Sequence, residues 1–343
     1  MAVDSGVRVV SGELPGEAVP YVVPSGSGRA HLLLGQVGRV LIGSEETGGV
    51  MSATTLSGPA GQPIPLHFHE LEDEYFFCVR GKVQVWADDE SRVLTPGDVA
   101  IVPAGTVHAY ATLQHNSMFM GPITPGGWDR FFDFCGTPYS QPLYPPVDAG
   151  PPPFEKFGAA QEKFKMTFVR DRPYAEARSD APDDSLPGKA APYFLRAGDG
   201  PRHLLFGQVT FQLATGAETD GKVAMTVVEG PGGAETPDHR HAASTEGIYC
   251  LDGRLRLRVD GSERELIGGD FAAIPPGVVH GHTIASDFAR IAVMHGPAGP
   301  ERLAELGGEV AEQQVFPPLG EAPATDADKL RAAAAETGTE FVS

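Results

Sequence analysis

Cysteine, basic charge and long apolar runs are what this sequence has least of. Three cysteines, Cys78, Cys135 and Cys250, in 343 residues are too few and too odd in number for a disulfide framework. Lys and Arg total 26 against 45 Asp and Glu, a formal net charge of −19. Such a surface repels phosphate, which argues against nucleic acid or an anionic membrane as the main partner and reads as a solubility feature. No window approaches the roughly 18 consecutive apolar residues of a spanning helix. The opening MAVDSGVRVVSGELPGEAVPYVV lacks the basic segment and apolar core of a leader. The expectation is a cytoplasmic protein.

What is present is turn-formers and a repeat. The chain is 41% hydrophobic, with 43 glycines and 31 prolines, a balance that favours short strands and many turns in a globular protein. Pro20-Tyr21 returns as Pro192-Tyr193, His31 as His203, and Gly35-Gln36-Val37 as Gly207-Gln208-Val209, each pair 172 residues apart. Gly61 and Gly233, Gly81 and Gly253, Gly97 and Gly269, and Pro103 and Pro275 keep that offset. A shared register over so long a stretch marks a duplication, and a repeat of this length is a domain, not a solenoid unit. The units read as β: Val83–Trp86 and Arg254–Val259 alternate apolar with polar, and Asp260-Gly261 is a hairpin signal. Phe154–Lys165 and Asp326–Glu336 read as short helices. Arg170–Lys189, charged and rich in Pro and Asp, reads as a linker.

The duplicated stretch carries metal-ligand chemistry. His67 and His69 are two apart, so on a strand both imidazoles face one side. Glu74 is an odd step further on; the chain must turn through Glu70–Asp73 before Glu74 enters the next strand. His108 arrives on a third strand after the Pro103/Gly105 turn. The second copy is His239, His241, Glu246 and His280. Three neutral imidazoles and one carboxylate suit a divalent first-row ion: Fe, Mn, Co, Ni or Cu, with Zn last. Such an ion keeps net charge +1 and would welcome an anionic ligand. Structural zinc sites are usually closed and rich in Cys, and no cysteine joins either set. Cys78 and Cys250 read as core residues. Arg240, between the second pair of histidines, should point outward.

These stretches resemble the two signature motifs of the cupins. Gly61 through His67, His69 and Glu74 to Gly81 matches G-x5-H-x-H-x4-E-x6-G, and Gly97 through Pro103 and Gly105 to His108 matches G-x5-P-x-G-x2-H. The second copy runs from Gly233 to Gly253 and from Gly269 to His280. The family's second motif often ends in Asn four residues after the last His, where this chain has Thr112 and Ile284; the ligands are untouched. The resemblance implies an all-β fold with a few short helices: two tandem jelly-roll barrels, each with a metal in its mouth. The expected layout is a first barrel over 1–170, a linker over 171–188 and a second barrel over 189–343.

Among two-barrel cupins the chain is most similar to the bacterial quercetin 2,3-dioxygenases. That likeness implies cleavage of the central ring of a flavonol by O2, giving a depside and CO, with Glu74, and by the same carry-over Glu246, as base for the 3-hydroxyl. It implies a small aromatic substrate and O2 as partners and is compatible with a homodimer. A flat aromatic substrate needs an apolar slot, and Met51, Phe76, Tyr110, Phe119 and Trp128 are its candidates. The second mouth offers Tyr249 and Phe271 and lacks a counterpart of Phe131-Phe132-Asp133-Phe134, so the first barrel is the expected site for such a substrate. The alternatives are a tailoring oxygenase or cyclase on an aromatic natural product, an oxalate-type decarboxylase, or a non-catalytic metal-binding bicupin.

Overall fold

Short alternating strands ended by Gly and Pro leave little room for long helices, and the computed structural model, which describes residues 7–141, 144 and 154–342, is mostly β. It divides into two compact units, Ser27–Asp199 and Met1–Gly26 with Gly200–Ser343.

In the first unit two sheets form the barrel. The larger runs in the order Thr137–Pro138, Arg29–Leu33, Gln36–Ile42, Ser52–Gly58, Ser117–Thr124, Asp73–Arg80, Val99–Val102, Tyr193–Leu195. The smaller runs Met166–Phe168, His67–His69, His108–Thr112, Val83–Ala87, Glu90–Leu94. In the second unit the same strands join into one sheet. Thr245–Val259 and His280–Gly296 pass unbroken where the first barrel has a pair of strands each. The bend is taken at Gly253, between two register shifts. Its φ is +75°, and a Cβ there would sit 2.1 Å from Phe288 O. Only glycine meets both conditions, which explains the last Gly of the motif and its twin Gly81, at φ +74°. The core inside the second barrel is aliphatic, with Ile248, Leu255, Leu257, Ile274 and Ile291 all buried. Each contributes about 1.5–3 kcal/mol of burial. The first barrel fills the matching space partly with aromatics, Phe76 and Phe119 standing where the second has Ile248 and Ile291.

The unit boundaries differ from the expected 1–170 and 189–343. Tyr193–Leu195 pairs with Val99–Val102 of the first barrel, and its repeat counterpart Tyr21–Val23 pairs with Phe271–Ile274 of the second. Each barrel thus takes its edge strand from the opening of the other repeat. The anchoring contact is duplicated too: Ala197 N donates to Asp98 Oδ1 at 2.9 Å, and Ser25 N to Asp270 Oδ1 at 2.8 Å. The two opening strands share the Pro-Tyr start, Pro20-Tyr21 and Pro192-Tyr193. The expected linker at 171–188 has no regular structure but is fastened to the first barrel. Trp86 Nε1 donates to Ala175 O at 2.8 Å, Tyr174 Oη to Ile64 O at 2.9 Å and Arg178 N to Ser91 O at 2.8 Å.

The two expected helices form as Phe154–Lys163 and Ala327–Thr337. The second is capped by Asp326, whose carboxylate accepts from Asp328 N and Lys329 N, and ends at Gly338 in the left-handed region. A further helix, Asp129–Cys135, lies where only an aromatic cluster is evident in the sequence. All three cysteines are free and buried, and burial raises the Cys78 and Cys250 thiols to about 12. They pack as small apolar residues.

Candidate metal centres

Antiparallel pairing brings the ligands together. His67 stands directly opposite His108, and His239 opposite His280. The turn after His69 is tied to the Pro-Gly turn that carries the third histidine: Gly105 N donates to His69 O at 2.7 Å and Ala104 N to Asp73 Oδ1 at 2.9 Å. Gly277 N repeats the first of these with His241 O at 2.8 Å. The chain then enters the strand Asp73–Arg80 one residue before Glu74. Arg240 points outward onto Glu340, at 2.8 Å, as alternation requires.

In each barrel one donor atom from each of the four residues lies within 4.8 Å of the others. Four of the six histidine Nδ1 atoms are held by backbone carbonyls. His67 donates to Pro65 O at 2.9 Å, His108 to Thr106 O at 2.9 Å, His239 to Pro237 O at 2.8 Å and His280 to Val278 O at 3.0 Å. These bonds place the proton on Nδ1 and leave the Nε2 lone pair free for a metal. Burial, then the neighbouring His108, lowers His67 to about 3. Burial, then His280, lowers His239 to about 3, and burial lowers His241 to about 4. For His280 burial pushes down, but the Glu246 carboxylate outweighs it and the result is raised. Burial pushes Glu246 up; His280 and three hydrogen bonds outweigh that and hold it well below the usual carboxylate range.

The residues fit a divalent ion. Both ring nitrogens of His69 are buried without a hydrogen-bond partner, a costly state in the absence of a ligand for the ring. Its face stacks on Trp128 at 3.9 Å, so the ring is oriented by packing. The donors are neutral imidazoles and a carboxylate, the set that first-row metals accept.

Above the first set lies a cavity of about 80 Å³ lined by His67, Glu74, Tyr110, Trp128 and a ring of apolar side chains. Two of the five expected substrate contacts, Tyr110 and Trp128, are on its wall. Phe76 and Phe119 lie beneath Tyr110, with ring centroids 5.9 and 4.7 Å from it, and form the barrel interior. Met51 is fully buried and does not line the cavity. The wall is completed by residues the sequence did not single out as contacts, chiefly Phe131, Phe132, Phe157 and Phe168. Trp128 and Phe131 stack at 4.4 Å. Phe131 and Phe132 come from the short helix noted above, so helical phase, unread in the sequence, decides which of its aromatics face inward.

The second set lies under a cavity of about 100 Å³ with a different wall, in which Thr236, His282 and His295 stand at the positions of Ile64, Tyr110 and Ile123, beside Gln208. Tyr249 and Phe271 are buried away from it. His295 stands directly opposite Glu246, where the first barrel has Ile123 opposite Glu74. Its Nε2 lies 3.1 Å from Glu246 Oε2. Glu74, by comparison, has His108 Nε2 at 3.1 Å and His69 Nε2 at 4.0 Å. His282 follows His280 by two, the same-face spacing that could have flagged it. His295 has an apolar counterpart in the other repeat and leaves no such signal.

Comparison with known proteins agrees with this geometry. The Cupin domain family matches residues 57–120 and 225–294. Over 304 residues the chain is 31% identical to the quercetin 2,3-dioxygenase of Bacillus subtilis (strain 168), spanning 89% of this chain and 90% of that protein. It is 24% identical over 340 residues to the quercetin 2,3-dioxygenase of Aspergillus japonicus, spanning 89% and 97%. Among solved structures, the oxalate decarboxylase of Lactobacillus farciminis superposes with a TM-score of 0.51 at 15% identity, over 83% of this chain and 90% of that one. A variant of the Bacillus subtilis oxalate decarboxylase gives 0.53 at 17%, over 84% and 79%. At those identities the likeness is one of fold.

Proposed function

The chain is a bicupin of the family that includes the Bacillus subtilis quercetin 2,3-dioxygenase, and from that premise we propose that its first barrel cleaves the central ring of a flavonol with O2, releasing a depside and CO. The observation that carries this reading is the first cavity. Its wall is aromatic on several sides, and the one carboxylate on it, Glu74, stands beside the histidine ligands. A flat polyphenol buries its rings against Trp128, Phe131 and Phe157. Offset or edge contacts of that kind contribute about 0.5–1.5 kcal/mol each beyond burial.

His67, His69, Glu74 and His108 would hold the ion, which when bound supplies Lewis acidity toward an anionic oxygen. The chain's own residues do the rest. Glu74 accepts the proton of the substrate's 3-hydroxyl and returns it to the depside product. Its side chain, about one-eighth exposed (13%), reaches the cavity and can meet a hydroxyl bound there. Trp128 holds the His69 ring in place by stacking. The apolar wall keeps water from the deprotonated substrate.

The test is anaerobic titration of quercetin into protein reconstituted with Mn, Fe, Co or Ni, followed by admission of air. Binding should shift the flavonol absorption, and air should then consume O2 and release CO. Glu74→Gln should lower turnover by about 10²–10⁴-fold with metal content retained, while Glu246→Gln leaves most turnover in place. Binding without turnover for every metal overturns the reaction. Full turnover in Glu74→Gln overturns the assignment of the base.

A further inference from the structure

The two barrels keep the same four ligand types, yet the walls above them diverge at positions that the repeat aligns. Ile64 becomes Thr236, Tyr110 becomes His282, Ile123 becomes His295, Trp128 becomes Pro300 and Phe131 becomes Leu303, each 172 residues on. The cavities are of similar volume, about 80 and 100 Å³, so the change is one of chemistry and not of size. We propose that the second barrel is a binding site for a small hydroxycarboxylate, a ligand class different from the flat aromatic of the first.

Three observations support this. The wall groups are organised as a network. Gln208 Nε2 donates to Thr236 Oγ1 at 2.9 Å, and His282 Nε2 lies 3.1 Å from that hydroxyl and 3.2 Å from Gln208 Oε1. Such a network presents fixed polar groups that a flat hydrocarbon face does not complement. Next, His295 lines the cavity while 6% exposed. Its Nε2 is engaged with Glu246, and its Nδ1 is buried with no partner. An imidazole that donates from Nε2 presents a lone pair at Nδ1, which a ligand hydroxyl satisfies. Finally, three neutral imidazoles and one carboxylate around a divalent ion leave one positive charge, which a carboxylate neutralises. The other acid on the wall, Glu301, is engaged by the backbone, its oxygens accepting from Gly216 N and Gly299 N.

Glycolate is the simplest probe. The full chain loaded with Mn(II) is titrated anaerobically with glycolate and, separately, with quercetin. Glycolate is followed by calorimetry and by the Mn(II) electron paramagnetic resonance spectrum, quercetin by its absorption. One glycolate per chain should bind, acetate should bind more weakly for want of the hydroxyl, and quercetin should not displace glycolate. His282→Tyr with His295→Ile, which installs the first barrel's residues, should weaken glycolate by about tenfold or more and leave the quercetin titration unchanged. That unchanged titration also reports that the variant is folded. Thr236→Ile provides a milder version of the same test. The proposal is overturned if wild-type protein shows no saturable glycolate binding, if quercetin competes with glycolate, or if both variants bind it as wild type does. The glycolate signal is read without a flavonol, so a failure of quercetin to bind leaves this test intact.

Discussion

Acid should destabilise the metal-free first barrel through its buried histidines, and the metal should prevent it. His67 is held at about 3 in the folded chain against an ordinary value of 6.5. The unfolded chain therefore takes up a proton first as pH falls. Stability is intact above about pH 6.5 and declines as pH drops toward the folded value. Between about pH 7 and pH 5 the loss from His67 alone comes to about 2 kcal/mol at roughly 1.4 kcal/mol per unit. His69, also pushed well down by burial, acts in the same direction. In the second barrel, His239 and His241 do likewise. There the raised His280 works the other way, favouring the fold below the unfolded value and losing that contribution as pH rises through its own. In the first barrel Glu72, raised to about 7 by burial, opposes the two histidines, because the folded chain takes up that proton first; in the second, His282, lowered to about 4 by burial, adds to the loss. The assay is urea unfolding of chelator-treated protein at the two pH values, followed by tryptophan fluorescence. The chain has two tryptophans, Trp86 and Trp128, both within Ser27–Asp199, so the signal reads the first barrel. With a slope of about 2 kcal/mol per molar urea, the midpoint should fall by about 1 M. Metal-loaded protein should show a much smaller shift, because an ion on Nε2 excludes the proton. An unchanged midpoint in the metal-free protein, or an equal fall in the loaded one, refutes the reasoning.

Two substitutions probe the first centre by other routes. Gly121→Ala would set a Cβ 2.1 Å from Tyr75 O, forcing Ser117–Thr124 away from the strand that carries Glu74; it should destabilise the first barrel by about 3 kcal/mol, and metal analysis should find the first site depleted and the second filled. Trp128→Ala removes the ring stacked on His69 and Phe131; it should cost about 3–5 kcal/mol of stability and weaken quercetin in the anaerobic absorption titration, with Trp128→Phe recovering most of both.

The ligand sets were legible in the sequence because they are local and doubled. An HxH pair on a strand, a carboxylate after a turn and a histidine after Pro-x-Gly each follow from short-range geometry, and the 172-residue offset checks every spacing. The cavity walls were less legible. Phe76 and Phe119 have the right parity to face inward, but inward in a barrel means floor as well as wall, and Tyr110 lies above them. Phe131 and Phe132 depend on a helix too short to show a clear period. His295 meets Glu246 only through pairing between strands nearly fifty residues apart, and its apolar twin Ile123 hides it from the repeat. The edge strands were least legible. Pro-Tyr opens both repeats, and nothing within either copy states which sheet it joins.

That exchange of edge strands bears on how the gene for such a chain can be divided. A cut within 171–188, where the two repeats meet, would produce two fragments that look like whole barrels. Each would carry an opening strand that belongs to the other and lack the one that closes its own sheet. Val99–Val102 and Phe271–Ile274 would be left with open backbone donors and acceptors, the kind of surface that recruits further chains. Expressed alone, the halves should aggregate; expressed together, they should recover one another. The duplication therefore made a protein whose two centres are inherited, expressed and lost as one.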